Sequence, residues 1–372
     1  DWNGMQELDS RRVGKITAYL FYEGGHEDPA RLAANAGKSF LGSKIYGQGF
    51  TFDDTDAKGG ATPLKDMHWL IKNNPSNAAR IFPYIGGDEL NDSPSLAFHR
   101  YVINFGEMPL ARENLGGTWK AATAKQRAAW ERVGIVPLDY PEHVAKDWPD
   151  LLSIVEQKVK PGREAQNRET RKRFWWRFGE TTPGLFRALA QLRRVIVVPQ
   201  VTKFLVFAFQ PSNIVLSQRL NVLAFDQVHA FTVLQSQVHE IWALFFGSTL
   251  EDRPVYTPSD CFETFPFPLE FERNAALERS GREYYEFRAG LMLKNNEGLT
   301  KIYNRFHNPD ERSSDILKLR ELRSAMDRAV LDGYDFDIRT DCEFLLNYAE
   351  DEDNDQGSLK RKKTWRYRWP DE

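Results

Sequence analysis

The chain has 372 residues, 41% of them apolar and 13% aromatic, enough to build two or three subdomains with cores of their own. No apolar run reaches the length of a bilayer span, and Cys261 and Cys342 make neither a disulfide framework nor a zinc set, so a reducing, cytoplasmic setting is expected. The formal net charge of −3 excludes an evenly basic surface, yet residues 151–220 carry 13 Lys/Arg against 4 Asp/Glu, and local charge governs phosphate binding more than the total does.

From the N-terminus, residues 15–22 (KITAYLFY) read as a strand before the turn Glu23-Gly24-Gly25. Residues 39–53 are strand-like and punctuated by glycine; Gly47-Gln48-Gly49 opens no dinucleotide fingerprint, because neither a third glycine nor a helix follows. Residues 62–73 read as a helix, with Pro63 in the first turn and Leu64, Met67, His68 and Ile71 on one face. An apolar entry at 81–85 leads into the turn Gly86-Gly87, and residues 100–105 follow as a strand. Residues 109–139 form an irregular insert around an Ala-rich helix at 121–133. Because it begins on Asp1 and stops after a basic, aromatic run, the chain reads as a piece of a larger protein.

Residues 148–160 read as a helix stopped by Pro161-Gly162. Pro149-Asp150 and Glu156-Gln157-Lys158 imitate a PD…ExK nuclease signature. The helical spacing of Leu151, Leu152, Val155 and Val159 puts Asp150 and Glu156 on different faces, where they cannot converge on a metal. Next, Arg171, Lys172 and Arg173 stand before Phe174, Trp175, Trp176 and Arg177. With Arg193 and Arg194, these cations are the expected DNA-backbone footprint. Trp175 and Trp176 read as core anchors.

In the centre, residues 195–198, 204–209 and 214–216 are short apolar runs broken by prolines, read as strands that pass into the alternating stretch 217–222. On a strand, Ser217, Arg219 and Asn221 share one face. Arg219 can then offer its fork to a guanine edge, and Asn221 or Gln200 can pair with adenine. The competing reading is a surface ion pair for Arg219 and a strand-end cap for Asn221. Thr202, Lys203 and Gln218 complete the expected base-recognition set.

The period then changes. Phe231, Leu234, Val238, Ile241, Trp242 and Phe245 mark one face of a helix over 231–246, expected to be buried on the strands. Prolines in residues 256–268 (YTPSDCFETFPFP) fix an aromatic loop. Two charged amphipathic helices, 271–295 and 314–331, read as a hairpin around residues 298–309. The tail passes from acidic residues at 350–355 to basic ones at 360–363 and at Arg366 and Arg368, and reads as a flexible joint.

The phrases VPQVTKFLVFAF, LSQRLNVLAF, FTVLQSQVHEIWALFFGS and YTPSDCFETFPFP occupy this centre; FPYIGGDELNDSP and HRYVINFGEM precede them, and LMLKNNEGLTKIYNRFHNPDE follows. Together they resemble the target-recognition region of large adenine-specific DNA methyltransferases: the single-chain type IIG/IIL restriction–modification enzymes and related phage-defence methylases. The resemblance spans residues 37–334 and rests on long phrases. We expect an α+β fold, with a mixed β-sheet recognition domain and packed helices followed by a C-terminal helical hairpin. Its expected division is 1–140 (β-rich connecting part), 141–270 (DNA target recognition) and 271–372 (helical region and tail). The resemblance implies double-stranded DNA and the methyltransferase domain of the parent chain as partners. As secondary DNA or interdomain contacts it implies Tyr84, Asn91, Arg100, Lys294, Asn296, Lys301, Asn304 and Arg305. It also implies S-adenosylmethionine as the cofactor of the parent enzyme, and none for this chain.

Amino-methyltransferases of this kind hold the flipped base with Asn/Asp-Pro-Pro-aromatic. No such tetrapeptide occurs; Asn74-Pro75-Ser76-Asn77 and Thr257-Pro258-Ser259-Asp260 lack both the second proline and the aromatic. No Gly-rich cofactor loop follows a strand, no Walker lysine occurs, and the seven histidines show no metal spacing. The chain therefore reads as a non-catalytic specificity fragment. A protein–protein scaffold built on the helical hairpin and aromatic loops is the alternative, and the charge concentration favours DNA.

Overall fold

The central strands, in chain order, are β1 (Ser39–Leu41), β2 (Thr51–Phe52), β3 (Ile81–Ile85), β4 (Arg100–Ile103), β5 (Arg194–Pro199), β6 (Ala208–Pro211), β7 (Val215–Leu216) and β8 (Leu220–Leu223). β5 is buried from Val195 to Val198, which is why its apolar run does not alternate. It lies inside an antiparallel sheet of order β6-β5-β8-β1, with Asn221 opposite Val198 and Val222 opposite Val197. A second sheet has the order β7-β3-β4-β2, in which β7 runs parallel to β3 and the other pairs are antiparallel. Each sheet combines strands from either side of residue 140. The computed structural model describes residues 6–8, 11–13, 29–250, 253–338, 340–347 and 364–370. The strand expected at 15–22 and the charged run at 350–363 lie outside them.

Helices and several open sheets make the fold α+β, as expected. In place of one central sheet there are two, because the chain leaves the second at Leu216 and enters the first at Leu220. Residues 204–207 are not a strand. The Phe207 N–H donates to the Gln235 side chain at 3.0 Å instead of to a strand neighbour, and pairing resumes only at Ala208.

Helix α1 (Leu64–Asn73) starts directly after Pro63, turns Met67 and Leu70 inward and leaves His68 exposed. Helix α2 (Pro149–Lys158) buries Leu151, Leu152 and Val155. Its Asp150 accepts from Asn77 at 3.1 Å while Glu156 pairs with Lys160 at 2.8 Å, so these carboxylates do not converge. Pro161 does not stop the chain: it sits in the first turn of a further short helix, Lys160–Glu164, where its missing N–H is not needed. Trp175 and Trp176 are buried in the core around the second sheet.

The single helix expected over 231–246 is two, α3 (Val228–Gln235) and α4 (Gln237–Phe246). Between them Ser236 is extended, with its hydroxyl accepting from the His239 N–H at 3.4 Å, and the Gln237 N–H donates to Asp327 at 2.8 Å. The break resets the helical phase. Phe231 and Leu234 are buried, but α4 turns Gln237, His239 and Ala243 inward and leaves Ile241 50%, Leu244 44% and Phe245 39% exposed. Trp242 is half-buried, donating Nε1 to Thr264 at 3.1 Å. Burial of the whole apolar face on the strands therefore holds for α3 and fails for α4.

Helix α5 (Ala275–Asn295) lies against both α3 and α7 (Ser314–Gly333), and the shorter α6 (Leu299–Phe306) packs on α7 and on the helix Gly87–Asp92. Gly281 makes the α3–α5 approach possible, since a Cβ there would sit 1.8 Å from Thr232 Oγ1. Arg366 and Arg368 are not in a flexible joint. The strand Thr364–Arg368 pairs with Glu343–Asn347, and the Tyr367 N–H donates to His307 Nδ1 at 3.0 Å, anchoring this hairpin on α6.

Candidate nucleic-acid interface

Residues 217–219 carry the chain from one sheet to the other, and their backbone is gripped from three directions. The Ser217 N–H donates to the Ile85 carbonyl at 2.9 Å, the Gln218 N–H to the Ser43 carbonyl at 3.0 Å, and the Arg219 carbonyl accepts from the Gln200 N–H at 2.7 Å. Ser217 is buried, and its Oγ accepts from the Arg219 N–H at 3.3 Å. Gln218 and Arg219 are exposed. A fixed backbone with open polar side chains suits a reading element.

This geometry corrects the strand expected at 217–222. Ser217, Arg219 and Asn221 do not share an open face, because Gln218 and Arg219 form a turn and β8 starts at Leu220. Asn221 is fully buried; its Nδ2 donates to the Tyr256 carbonyl at 2.7 Å, so it is not available to adenine. Thr202 is also removed from base reading, since it is buried with its hydroxyl on the Phe204 carbonyl at 2.7 Å. Gln200 is half-buried, and exposed Lys203 reaches Asn304 Oδ1 at 2.6 Å.

The expected DNA-backbone cations divide in two. Arg171 is buried, over the Tyr46 ring at 4.0 Å and 3.5 Å from Glu180. Arg177 donates twice to the Met108 carbonyl, at 3.1 and 2.9 Å, and burial lowers its pKa. Arg194 donates to the Asp226 carbonyl at 2.9 Å and lies 3.8 Å over the Phe209 ring. Interior carbonyls and rings occupy these three guanidinium groups, which corrects their assignment to phosphates. Lys172 is half-buried and 3.1 Å from Glu169. Arg173 and Arg193 are exposed, with no side-chain partner among the described residues.

Residues 141–269 match the family described as MmeI, target recognition domain. That segment contains β5 to β8, the Gln218–Arg219 turn and helices α2 to α4. Among solved structures, the type IIL restriction-modification enzyme MmeI in complex with DNA is similar, with a TM-score of 0.56 and 18% identity, over 88% of this chain and 37% of that chain. At that identity the likeness is one of fold, and the chain spans about 37% of the length of that MmeI chain. No curated protein matches the chain.

Outside the recognition segment, Tyr84 is buried beneath Arg100, whose guanidinium lies 5.0 Å from the ring and pairs with Glu89. Burial opposes the ionised Glu89, but the bonds from Arg100 and from the Gly86 N–H (2.9 Å) prevail and lower its pKa. A Cβ at Gly86 would come within 3.1 Å of Arg100 Nη2 and 3.2 Å of Glu89 Oε2, a tight approach to the ends of this ion pair. Asn91 is half-buried, and its carbonyl backs onto Gly298, just before α6. Arg305 bonds Glu311 at 2.8 Å, Glu297 at 2.9 Å and Ser313 at 3.0 Å; the Glu311 bond leads the causes that raise its pKa. It ties α6 to the start of α7 within the C-terminal helical region, which corrects its assignment to a DNA or interdomain contact. Lys294 lies 3.7 Å from Asp315, while Asn296, Lys301 and Asn304 are exposed. Asn296 caps α5 in the left-handed conformation, at φ 53°.

Sequence reading missed the stretch from Ser43 to Gly47, which runs beside the turn: Ser43 bridges Ser217, and Lys44 lies 3.0 Å from Glu180. Nothing local marks it, since the pairing joins segments far apart in the chain. Among the described residues, no group of three His, Cys, Asp or Glu side chains could hold a metal, and no helix is long and apolar enough to cross a membrane.

Proposed function

We propose that this chain reads DNA sequence for an adenine-specific, S-adenosylmethionine-dependent methyltransferase or restriction–modification enzyme, presenting duplex DNA to a catalytic domain elsewhere in the parent protein. The observation that carries this reading is the Gln218–Arg219 turn, exposed in its side chains, locked in its backbone and set within the segment that matches a target recognition domain. The Arg219 fork suits guanine O6 and N7, and Gln218 suits adenine N6 and N7. Arg173 and Arg193 suit phosphates, which set register without reading sequence. That MmeI was solved in complex with DNA supports duplex DNA as the ligand. A cytoplasmic location accords with that ligand, and S-adenosylmethionine belongs with the catalytic domain.

The test is a fluorescence-anisotropy titration of the 372-residue chain against duplex DNA at several salt concentrations. Weak binding with steep salt dependence is expected. Absence of binding at low salt would remove the proposal. A scaffold role has one observation in its favour, the exposed apolar side chains of Ile241, Leu244 and Phe245 on α4, with Leu250 just beyond. Such a surface suits the methyltransferase domain of the parent chain, and it is compatible with DNA reading.

A further inference from the structure

The glycine-punctuated stretch that begins at Gly42 is fixed along its backbone. The Gly42 N–H donates to the Leu220 carbonyl at 3.0 Å and the Ser43 N–H to the Leu216 carbonyl at 2.6 Å, while the Ser43 carbonyl accepts from Gln218. Further on, the Lys44 carbonyl accepts from the Glu180 N–H at 3.2 Å and the Ile45 carbonyl from the Gly179 N–H at 3.1 Å. Buried Arg163 donates its Nη2 to the carbonyls of Ile45 at 3.0 Å and Tyr46 at 3.2 Å. Gly179 lets the two segments close up, since a Cβ there would sit 2.6 Å from Tyr46 Cβ.

These contacts hold Tyr46 in an uncommon state. Its φ is 56°, left-handed and costly for a large side chain, and Gly47 follows at φ 147°. The buried Arg171 guanidinium lies 4.0 Å from the ring, yet Tyr46 is 45% exposed and its hydroxyl bonds to no described residue. Covering Arg171 needs only the ring. A rigid, strained backbone that presents an open phenol hydroxyl is what a preorganised contact requires.

We infer, on the DNA-reading function proposed above, that Tyr46 contacts the backbone of the duplex read by the Gln218–Arg219 turn, its hydroxyl donating to a phosphate oxygen. Tyrosine is among the side chains that make such contacts, which set register and carry no sequence information. The position of Tyr46 fits. It stands three residues after Ser43, whose carbonyl holds Gln218, and three extended residues cover at most about 11 Å. Phosphates of one strand recur about every 3.4 Å along B-DNA, so one within a few steps of the read bases is in reach. On its other side Tyr46 meets Arg171, on the short helix Glu169–Arg173 that also carries the exposed Arg173. Glu180 on this flank lies 3.0 Å from Lys44 and 3.5 Å from Arg171, two cations that offset its charge against a phosphate.

Tyr46→Phe removes the hydroxyl and keeps the ring over Arg171. By fluorescence anisotropy of the 372-residue chain at several salt concentrations, it should bind duplex about tenfold more weakly, on all sequences alike. Its salt slope should equal the parent's, because a neutral hydroxyl releases no counterion, whereas loss of a cationic contact lowers the slope. Thermal melts of the parent and Tyr46→Phe should coincide. In a scan of the duplex with single neutral methylphosphonates, one position should weaken the parent about tenfold more than it weakens Tyr46→Phe. If the parent binds duplex with a steep salt slope, three results would each overturn the contact while DNA reading stands: identical binding by Tyr46→Phe, a lower melting temperature for it, or a loss confined to one base pair. If the parent binds no duplex at low salt, the DNA-reading function itself falls, and this contact with it.

Discussion

His239 Nε2 lies 3.0 Å from the Tyr256 hydroxyl, with both side chains sealed from solvent. The contact joins α4 to a residue that supports the Gln218–Arg219 turn from below. The Tyr256 carbonyl accepts from Asn221 at 2.7 Å, and its N–H donates to the Gln200 carbonyl at 2.8 Å. The exposed turn therefore stands on a buried hydrogen-bonded floor, whose integrity depends on a histidine that stays neutral.

Stability should fall with acid through this histidine. Burial depresses the His239 pKa to about 3, against 6.5 for the free side chain. Between those values the unfolded chain binds a proton that the folded chain refuses. The stabilisation is full above pH 6.5 and is lost as pH falls toward 3, by up to about 1.4 kcal/mol per pH unit. His239→Gln should flatten the slope of unfolding free energy against pH by up to one proton in that window, whatever it does to the baseline. Denaturant midpoints at several pH values would measure this; an unchanged slope means the imidazole does not titrate as its burial requires. Burial and the surrounding cations also hold the pKa of His307 low, so part of the acid sensitivity should persist in the variant.

Arg219 and Asn221 should separate in their effects. In the proposed parent enzyme, Arg219→Ala should cost about 1–3 kcal/mol of binding and relax preference at one base pair. Asn221→Ala should cost about 1–3 kcal/mol of folding stability by leaving the Tyr256 carbonyl without its donor, and should leave the recognised motif unchanged. Sequencing-based maps of methylated sites, paired with thermal melts, distinguish these outcomes. A motif altered by Asn221→Ala alone would reverse the assignment.

The basic residues should divide along the same line. Arg173→Ala and Arg193→Ala should each lower the salt slope of duplex binding by about one unit, uniformly across sequences, without moving the melting temperature. Arg177→Ala and Arg194→Ala should lower the melting temperature, because each removes the donors to an interior carbonyl and a packed guanidinium. Equal salt slopes in the parent and the Arg173 and Arg193 variants would place the phosphate footprint elsewhere on the chain.

Gly281→Ala should destabilise the helical part by about 1–3 kcal/mol, since the added methyl meets Thr232 Oγ1 at 1.8 Å and forces α3 and α5 apart. Thr232→Ala in the same chain should recover part of that loss, although it also removes the hydroxyl's contact with the Leu277 carbonyl at 2.8 Å. Double-mutant analysis of denaturant unfolding would give the coupling. Strictly additive losses would show that the helices do not meet at these residues.

Much of this fold is legible in local pattern because burial leaves a periodic trace. A strand covered on both faces, such as β5, is written as an unbroken apolar run, and the covered faces of α2 and α7 are written as spacings of three and four. The long phrases of the central segment carried the resemblance to target-recognition regions for the same reason: they record a whole packed unit. The fate of individual polar groups leaves no such trace. Arg219 and Asn221 stand two residues apart in one alternating stretch, yet one is open and the other fully buried, because the Tyr256 backbone covers β8 and, among the described residues, the turn is left exposed. Arg171 and Arg173 share a short helix, and only the first meets the ring of Tyr46. The apolar spacing from Phe231 to Phe245 runs on through Ser236, but Asp327 of α7 takes the Gln237 N–H and helps separate α3 from α4. A buried polar atom must find a partner, and here those partners come from distant parts of the chain, outside any local window.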